Sequence, residues 1–591
     1  MAEDKQAEKS VKAALKELRE QAKDGVLKAQ FLLAVKLANG DGVEADPKEA
    51  EKWYRKAAKR DFPPAMNNLA LLYTSDALGS PDLKAALKWY RKAAELGYAR
   101  AQAILGWRLV RGNGVTANET EGAALLTKAA EQGFALAQNN LGVCFSEGTG
   151  VDADEAQAVG WFRKAAEQGA VSAQFNLGLR CAQGRGAEKD LEVAKEWLTK
   201  AAEKNHAAAQ AHLGDLLAAE DNTDEAEVTR WYRAAAEAGH AAAQNNLGRC
   251  LAEGIGVEAN IKEAVEWYRR AAEQDCLPAQ FNLGRNLLES HSLEAARWLE
   301  LAATDDHTEA QWLLGRALDD GITLPRDAVA AVKWLRKAAE GGVREAQYRL
   351  AVSLERGDGV MENLKEAADW YTLAADADHA AAQFNLGAMY ARGRGVPADD
   401  VKALKYYNLA AEQSIASAQC NLGVFHEQGR GTEQSFASAL RWYELAADQG
   451  LARAQYNLAV MLHLGRAGEA NLNEAVTWYR QAAKQGHAVA QHVLASLYHH
   501  GEGVEADAGE AAKWCQLAAE QEVPEAQLIL ADCYLRGRGV PEDYVLAYVW
   551  FNRASSHGLE IAEKNKRHTA RCMTPEQIAQ AQQMSRAHLA A

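Results

Sequence analysis

Residues 137–168 read AQNNLGVCFSEGTGVDADEAQAVGWFRKAAEQ, and close variants of this pattern return along nearly the whole chain. It reads as two helices: A, from the Ala-Gln pair to about Ser146, and B, carrying the Trp-Phe and Ala-Ala pairs, with a Gly-x-Gly-Val loop between them. Tryptophans fall at positions 53, 89, 161, 197, 231, 267, 298, 334, 370, 442, 478, 514 and 550, and Leu125 and Tyr406 fill the two vacancies. Most steps are 36 residues, with 34 from 197 to 231 and 31 from 267 to 298, so fifteen repeats are expected. A fixed period of this length predicts an all-α solenoid in which stacking supplies the core that one repeat cannot build.

Local signals agree. Asp46-Pro47-Lys48-Glu49 offers an acceptor at the N-cap, Pro at the first helical position and Glu at the third. Gly133, Gly169 and Gly450 stand where a helix ends in a left-handed residue. Counting the first Gln of helix A as zero, +3 holds Leu in most repeats. Position +4 is Gly106, Gly142, Gly178, Gly214, Gly248, Gly284, Gly315, Gly387 or Gly423, and Ala elsewhere. Glycine inside a helix costs about 1 kcal/mol against alanine, so its recurrence implies close approach by a neighbouring helix. The Trp is expected to be the large knob packed among these small residues.

The 591-residue length alone suggests about four globular domains; the repeat replaces that estimate with one array. A net charge of −15 argues against an overall nucleic-acid or anionic-membrane binder. The charged start MAEDKQAEKSVKAALKELREQ has no apolar core of a secretory signal, and no run of about 18 apolar residues exists. The cysteines at 144, 181, 250, 276, 420, 515, 533 and 572 are irregularly spaced, which suits free thiols in a reducing cytosol. A cytoplasmic location is expected, with export by a route lacking a recognisable signal as the alternative.

The pattern resembles the Sel-one-like repeat family, relatives of the tetratricopeptide repeats with a longer loop inside each repeat. Residues 377–413, ADHAAAQFNLGAMYARGRGVPADDVKALKYYNLAAEQ, carry nearly all of it. The resemblance implies a right-handed α/α superhelix, a bacterial source and a non-catalytic scaffold or adaptor that binds a protein or extended peptide on its concave face. An immunity or host-interaction protein that sequesters a toxin or host protein is the alternative, with a hydrolase third. Residues 1–24 are expected to form an N-terminal capping helix, 25–556 the array and 557–591 a C-terminal capping helix. The shortened repeats, LLAAEDNTDEAEVTRWY and NLLESHSLEAARWLE, suggest a bend at 210–310.

At about 100° per residue, +2, +5, +6 and +9 share the face of helix A opposite 0, +3, +4 and +7. The resemblance puts that face on the concave surface. Position +2 holds Asn68, Asn140, Asn176, Asn246, Asn282, Asn385, Asn421 and Asn457. An Asn offers a donor and an acceptor, as a peptide backbone does, so these amides suit an extended segment or a bond to the adjacent repeat. The preceding Asn of each pair, such as Asn139, reads as a tolerant flank. Arg108, Arg180, Arg249, Arg285 and Arg316 stand at +5 or +6, and Arg111, Arg356 and Arg392 at +9. Guanidinium groups match carboxylates, which points to an acidic or C-terminal peptide, unless the arginines pair with glutamates such as Glu147 and Glu253. Trp107, at +5, is a candidate apolar anchor.

Other motifs yield little. The Gly-x-Gly pairs at Gly40, Gly112, Gly148, Gly254, Gly357 and Gly501 lack a third glycine and follow helices, so they read as repeat turns. In NGDGVEAD (39–46) the glycine falls too early for a calcium loop. His206, His240, His379 and His487 share the inter-repeat turn one or more repeats apart, and His499-His500 reads as exposed loop. No nucleophile–base pair is visible. No catalytic, cofactor or metal site is expected.

Overall fold

The computed structural model describes residues 2–221, 223–289 and 292–589. Residue 222 and residues 290–291, inside the two shortened connections, lie outside the described residues. Among the described residues there are 33 α-helices, one short 3-10 turn and no strand. The chain divides into two compact units, residues 1–287 and 288–591.

One repeat shows how the elements arise. Helix A, Ala135–Glu147, stops at Gly148, whose φ of 70° returns its N–H to Cys144 O. Helix B, Glu155–Glu167, starts at Asp154, whose carboxylate accepts the Gln157 N–H. It ends at Gln168, and Gly169 follows at φ 84°. An acidic N-cap and a left-handed glycine satisfy the backbone groups that each helix end exposes. The expected cap at Asp46 is present, with Pro47 at the first helical position and Glu49 N–H bonded to Asp46. Helix Ala135–Glu147 packs on helix B of its own repeat and on helix B of the repeat before, Glu119–Glu131, and the other repeats within each unit follow the same pattern.

The knob of each repeat is the residue after the tryptophan. Phe162, Tyr232, Tyr268, Tyr371, Tyr443 and Tyr479 are almost wholly buried, whereas Trp161, Trp231, Trp370, Trp442 and Trp478 remain part-exposed. The +4 glycine admits that ring: a Cβ on Gly142 would stand 2.7 Å from Phe162, and one on Gly248 2.7 Å from Tyr268. The tryptophan, one residue away and so about 100° round the helix, is less deeply set in those repeats, although Trp267, Trp298, Trp334, Trp514 and Trp550 are buried as well. Trp267 Nε1 donates to Glu263 at 3.3 Å, and the Lys164 ammonium sits 4.0 Å above the Trp161 ring. Gly106 is the case of true backbone approach, its would-be Cβ lying 2.8 Å from Gly122 O.

The glutamine that opens helix A is a connector. Gln138 is 4% exposed, and its Nε2 donates to Ala130 O at 3.1 Å, eight residues back in the preceding helix B. Gln168 Nε2 then donates to Gln138 Oε1 at 2.7 Å. The same relay joins Gln132 to Gln102, Gln274 to Gln244, Gln413 to Gln383, Gln449 to Gln419, Gln485 to Gln455 and Gln521 to Gln491. A buried amide with both ends bonded ties successive repeats without leaving a polar atom orphaned.

Helices also stand at the ends. Ala2–Lys23 sets Leu15 and Leu18 against the core of the first repeats. At the other end two helices follow the last repeat, Glu560–Ala570 and Pro575–Leu589, where the sequence suggests only the second. Ala581 and Met584 pack on Val545 and Val549.

Candidate binding groove

Most +2 amides are bonded across the repeat boundary, and the +6 position expected beside them turns into the core instead: Cys144, Cys250, Met389, Phe425 and Met461 are at most 3% exposed. In the first compact unit Asn176 Nδ2 donates to Asn139 Oδ1 at 3.0 Å, and Asn139 Nδ2 donates to Asn140 Oδ1 at 3.2 Å. Asn282, Asn245 and Asn246 repeat the chain at 2.9 and 3.3 Å, and Asn67 donates to Asn68 at 3.2 Å. The first Asn of each pair is therefore not a tolerant flank. Asn139 and Asn245 are buried links, and the sequence hides this because their partners Asn176 and Asn282 lie a whole repeat away, whereas the buried Asn67 side chain bonds only to Asn68 among the described residues. Asn246 Nδ2 donates to Asp215 at 3.1 Å, and the Tyr232 hydroxyl donates to the same carboxylate at 2.9 Å.

In the second unit Asn385 Nδ2 donates to the Tyr371 hydroxyl at 3.1 Å and Asn457 Nδ2 reaches Cys420 Sγ at 3.8 Å. Asn421 Oδ1 accepts from Arg453 at 2.6 Å. The amide NH₂ groups of Asn176, Asn246, Asn282, Asn385 and Asn457 are thus engaged within the protein. The Oδ1 atoms of Asn176, Asn282, Asn385 and Asn457 have no partner among the described residues, and they present acceptors suited to backbone N–H groups.

The arginines divide. Arg180 is internal, its Nε 3.2 Å from Glu155 and its Nη2 2.7 Å from Ser146 Oγ. Arg108 donates to Asn113 O at 3.1 Å. Arg249, Arg285 and Arg316 are exposed and form no ion pair among the described residues. Arg285 and Arg316 lie over the Phe281 and Trp312 rings at 5.5 and 5.7 Å. Trp107 is part-buried against the cluster of Val110 and Leu126, under the Arg111 guanidinium at 4.5 Å. Arg111 in turn pairs with Glu147 at 3.1 Å.

Beneath the face lies a row of tyrosine hydroxyls. Tyr371 donates to Glu355 at 2.9 Å and Tyr443 to Glu427 at 2.7 Å. Burial, then the adjacent carboxylate, pushes Tyr371 well above the ordinary phenol range, and burial, with Glu253 adding to it and Arg285 and Arg249 opposing, takes Tyr268 up to about 12. Tyr371 and Tyr443 stay protonated donors at any physiological pH, while the Tyr268 hydroxyl is buried with no partner among the described residues. Within the second unit the face deepens into a cavity of about 260 Å³. Phe384, Asn385 and Arg392 line it with Asn421 and Arg453 from the following repeats. No group of three or more His, Cys, Asp or Glu is placed to hold a metal ion, and no helix is long and apolar enough to cross a membrane, both among the described residues. His499 and His500 meet edge to face, and His500 Nδ1 lies 2.9 Å from Ser496 O.

Helix pairs tied by amide relays, with a polar face repeated at every step, define an α-solenoid repeat protein. The chain belongs to the Sel1 repeat family: fifteen Sel1 repeats match between residues 27 and 559, the sixth over residues 229–240 and the eighth over 277–307. It is similar to a protective antigen of uropathogenic Escherichia coli displaying an SLR fold, at 30% identity, covering 85% of this chain and 94% of that one with a TM-score of 0.48. A Sel1 repeat protein from Oxalobacter formigenes is 30% identical over 59% of this chain and 94% of that one, with a TM-score of 0.42. An immunity protein from Pseudomonas aeruginosa is 22% identical over 37% of this chain and 82% of that one, with a TM-score of 0.25. Among curated proteins no relative matches the chain.

Proposed function

We propose that the protein is a non-catalytic interaction scaffold that holds a protein or an extended peptide along the +2, +5 and +9 positions of helix A. The observation that carries this reading is the pairing of unbonded amide acceptors with unpaired guanidiniums. Asn282 Oδ1 has no partner among the described residues, and Arg249 and Arg285 are exposed there without a carboxylate. An acceptor recognises backbone N–H whatever the side chain, while a guanidinium selects acidic groups. The eight cysteines are all free thiols, which suits work in a reducing cytoplasm.

The test is affinity capture with mass spectrometry on the full chain, wild type against Arg249→Glu/Arg285→Glu. Loss of the captured partners in the double variant is expected. An unchanged partner set, with the helical circular dichroism intact, would sink the reading.

A further inference from the structure

We infer that the cavity between residues 355 and 453 is a seat for a carboxylate of an acidic peptide segment. This rests on the groove reading above and names the point at which the groove recognises charge. The geometry of the +9 positions starts the argument. Arg111 and Glu147, both at +9 and one repeat apart, meet at 3.1 Å, so side chains at consecutive +9 positions can share one ion pair. Of two further consecutive +9 positions, Arg392 lines the cavity, and Arg356 lines a separate pocket with Asp319, Arg349 and Asp358. Both are exposed, and neither has an ion pair among the described residues. No carboxylate among the described residues answers Arg392 where Glu147 answers Arg111, so its guanidinium is left to take an anion from a ligand.

The cavity lining strengthens this. Arg392, Arg394 and Arg453 stand against one acid, Glu355, so the lining is net positive in a chain of net charge −15. That acid is already engaged, since Arg394 lies 3.5 Å from one of its oxygens and the Tyr371 hydroxyl donates to the other at 2.9 Å. Arg453 holds Asn421 Oδ1 rather than a carboxylate. Phe384, Met389 and Leu451 supply an apolar wall, and about 260 Å³ accommodates one or two residues rather than a large ligand. Planar guanidinium forks match a carboxylate, the Asn385 acceptor suits a peptide N–H, and the apolar wall suits a neighbouring side chain.

The experiment is a fluorescence-anisotropy titration of the full chain with labelled octapeptides of alternating Leu and Glu, or Leu and Gln, at physiological salt. The Glu peptide should bind at least about tenfold more tightly, and Arg392→Gln/Arg453→Gln should abolish that preference while leaving the circular dichroism unchanged. Equal affinity for the two peptides, or a preference that survives the double variant, overturns the seat. Equal binding of both peptides that is lost in Arg249→Glu/Arg285→Glu overturns the seat alone and keeps the groove. Failure of both peptides to bind overturns it too. So does tighter binding of labelled oligothymidylate than of the Glu peptide with the same dependence on Arg392 and Arg453, because it identifies a phosphate site.

Discussion

At the scale of single residues, a +4 glycine in helix A is set by the ring that lies on it. Tyr268 is fully buried, and a Cβ on Gly248 would stand 2.7 Å from two of its ring carbons. Gly248→Val should therefore lower stability by about 1–3 kcal/mol, as overpacking does in a close-packed core. Gly160 offers the contrast: it is exposed inside the helix Glu155–Glu167, with nothing within 4 Å of a new Cβ. Gly160→Ala should raise stability by about 0.5–1 kcal/mol through helix propensity. Urea unfolding monitored at 222 nm checks both, and equal midpoints for the two variants would refute the assignment. The need for a small +4 residue is legible in the sequence. Its partner is not, because Trp and the residue after it are both large and apolar. Periodicity counts them without saying which of two positions about 100° apart faces inward.

At the scale of the helix, the amide relay makes a prediction from its own gaps. Gln30, Gln174, Gln347 and Gln527 each carry a buried Oε1 with no partner. Thirty residues on, where other repeats place the donating Gln (Gln132 to Gln102, for example), stand Arg60, Lys204, Ala377 and His557. Ala377 has φ −84° and ψ 18°, against −86° and 18° for Gln413, so the backbone is already shaped for a glutamine. Ala377→Gln should donate to Gln347 Oε1 and stabilise the protein by about 0.5–1.5 kcal/mol. A thermal midpoint at or below that of the parent would show that the bond does not form. Helix positions and their Asp caps follow from local chemistry and are readable in the chain. The relay is not, since each Gln answers to a carbonyl supplied by another helix.

At the scale of the whole molecule, the inter-repeat histidines form a distributed acid sensitivity. His206, His240 and His487 cap helix A, Nδ1 accepting the N–H of Ala209, Ala243 and Ala490 at 3.2 to 3.3 Å. The rings of His206 and His487 stack on Phe175 and Tyr456 of the preceding repeat. Burial lowers the pKa of all three, so the neutral ring is the folded form. His212 adds to the lowering at His240 and Asp215 opposes it. Their contribution is complete above the unfolded value of about 6.5 and is lost as the pH falls from there through the lowered folded values. The thermal midpoint should drop between pH 7 and 5, and His206→Asn/His240→Asn/His487→Asn should flatten that slope, since Asn caps without titrating. An identical slope in the triple variant would assign the effect elsewhere. The eight-residue step from connector to carbonyl has a different consequence. It is the same for Gln244 to Ala236 and Gln311 to Ala303, which close the two shortened repeats, as for Gln138 to Ala130. The joint between repeats is thus the inelastic part of the period, and the shortening falls in the loop from A to B and, in the eighth repeat, in the first turn of helix B, which has 11 residues against 13 for Glu155–Glu167. Foreign sequence grafted into those loops would leave the spacing of the repeats untouched.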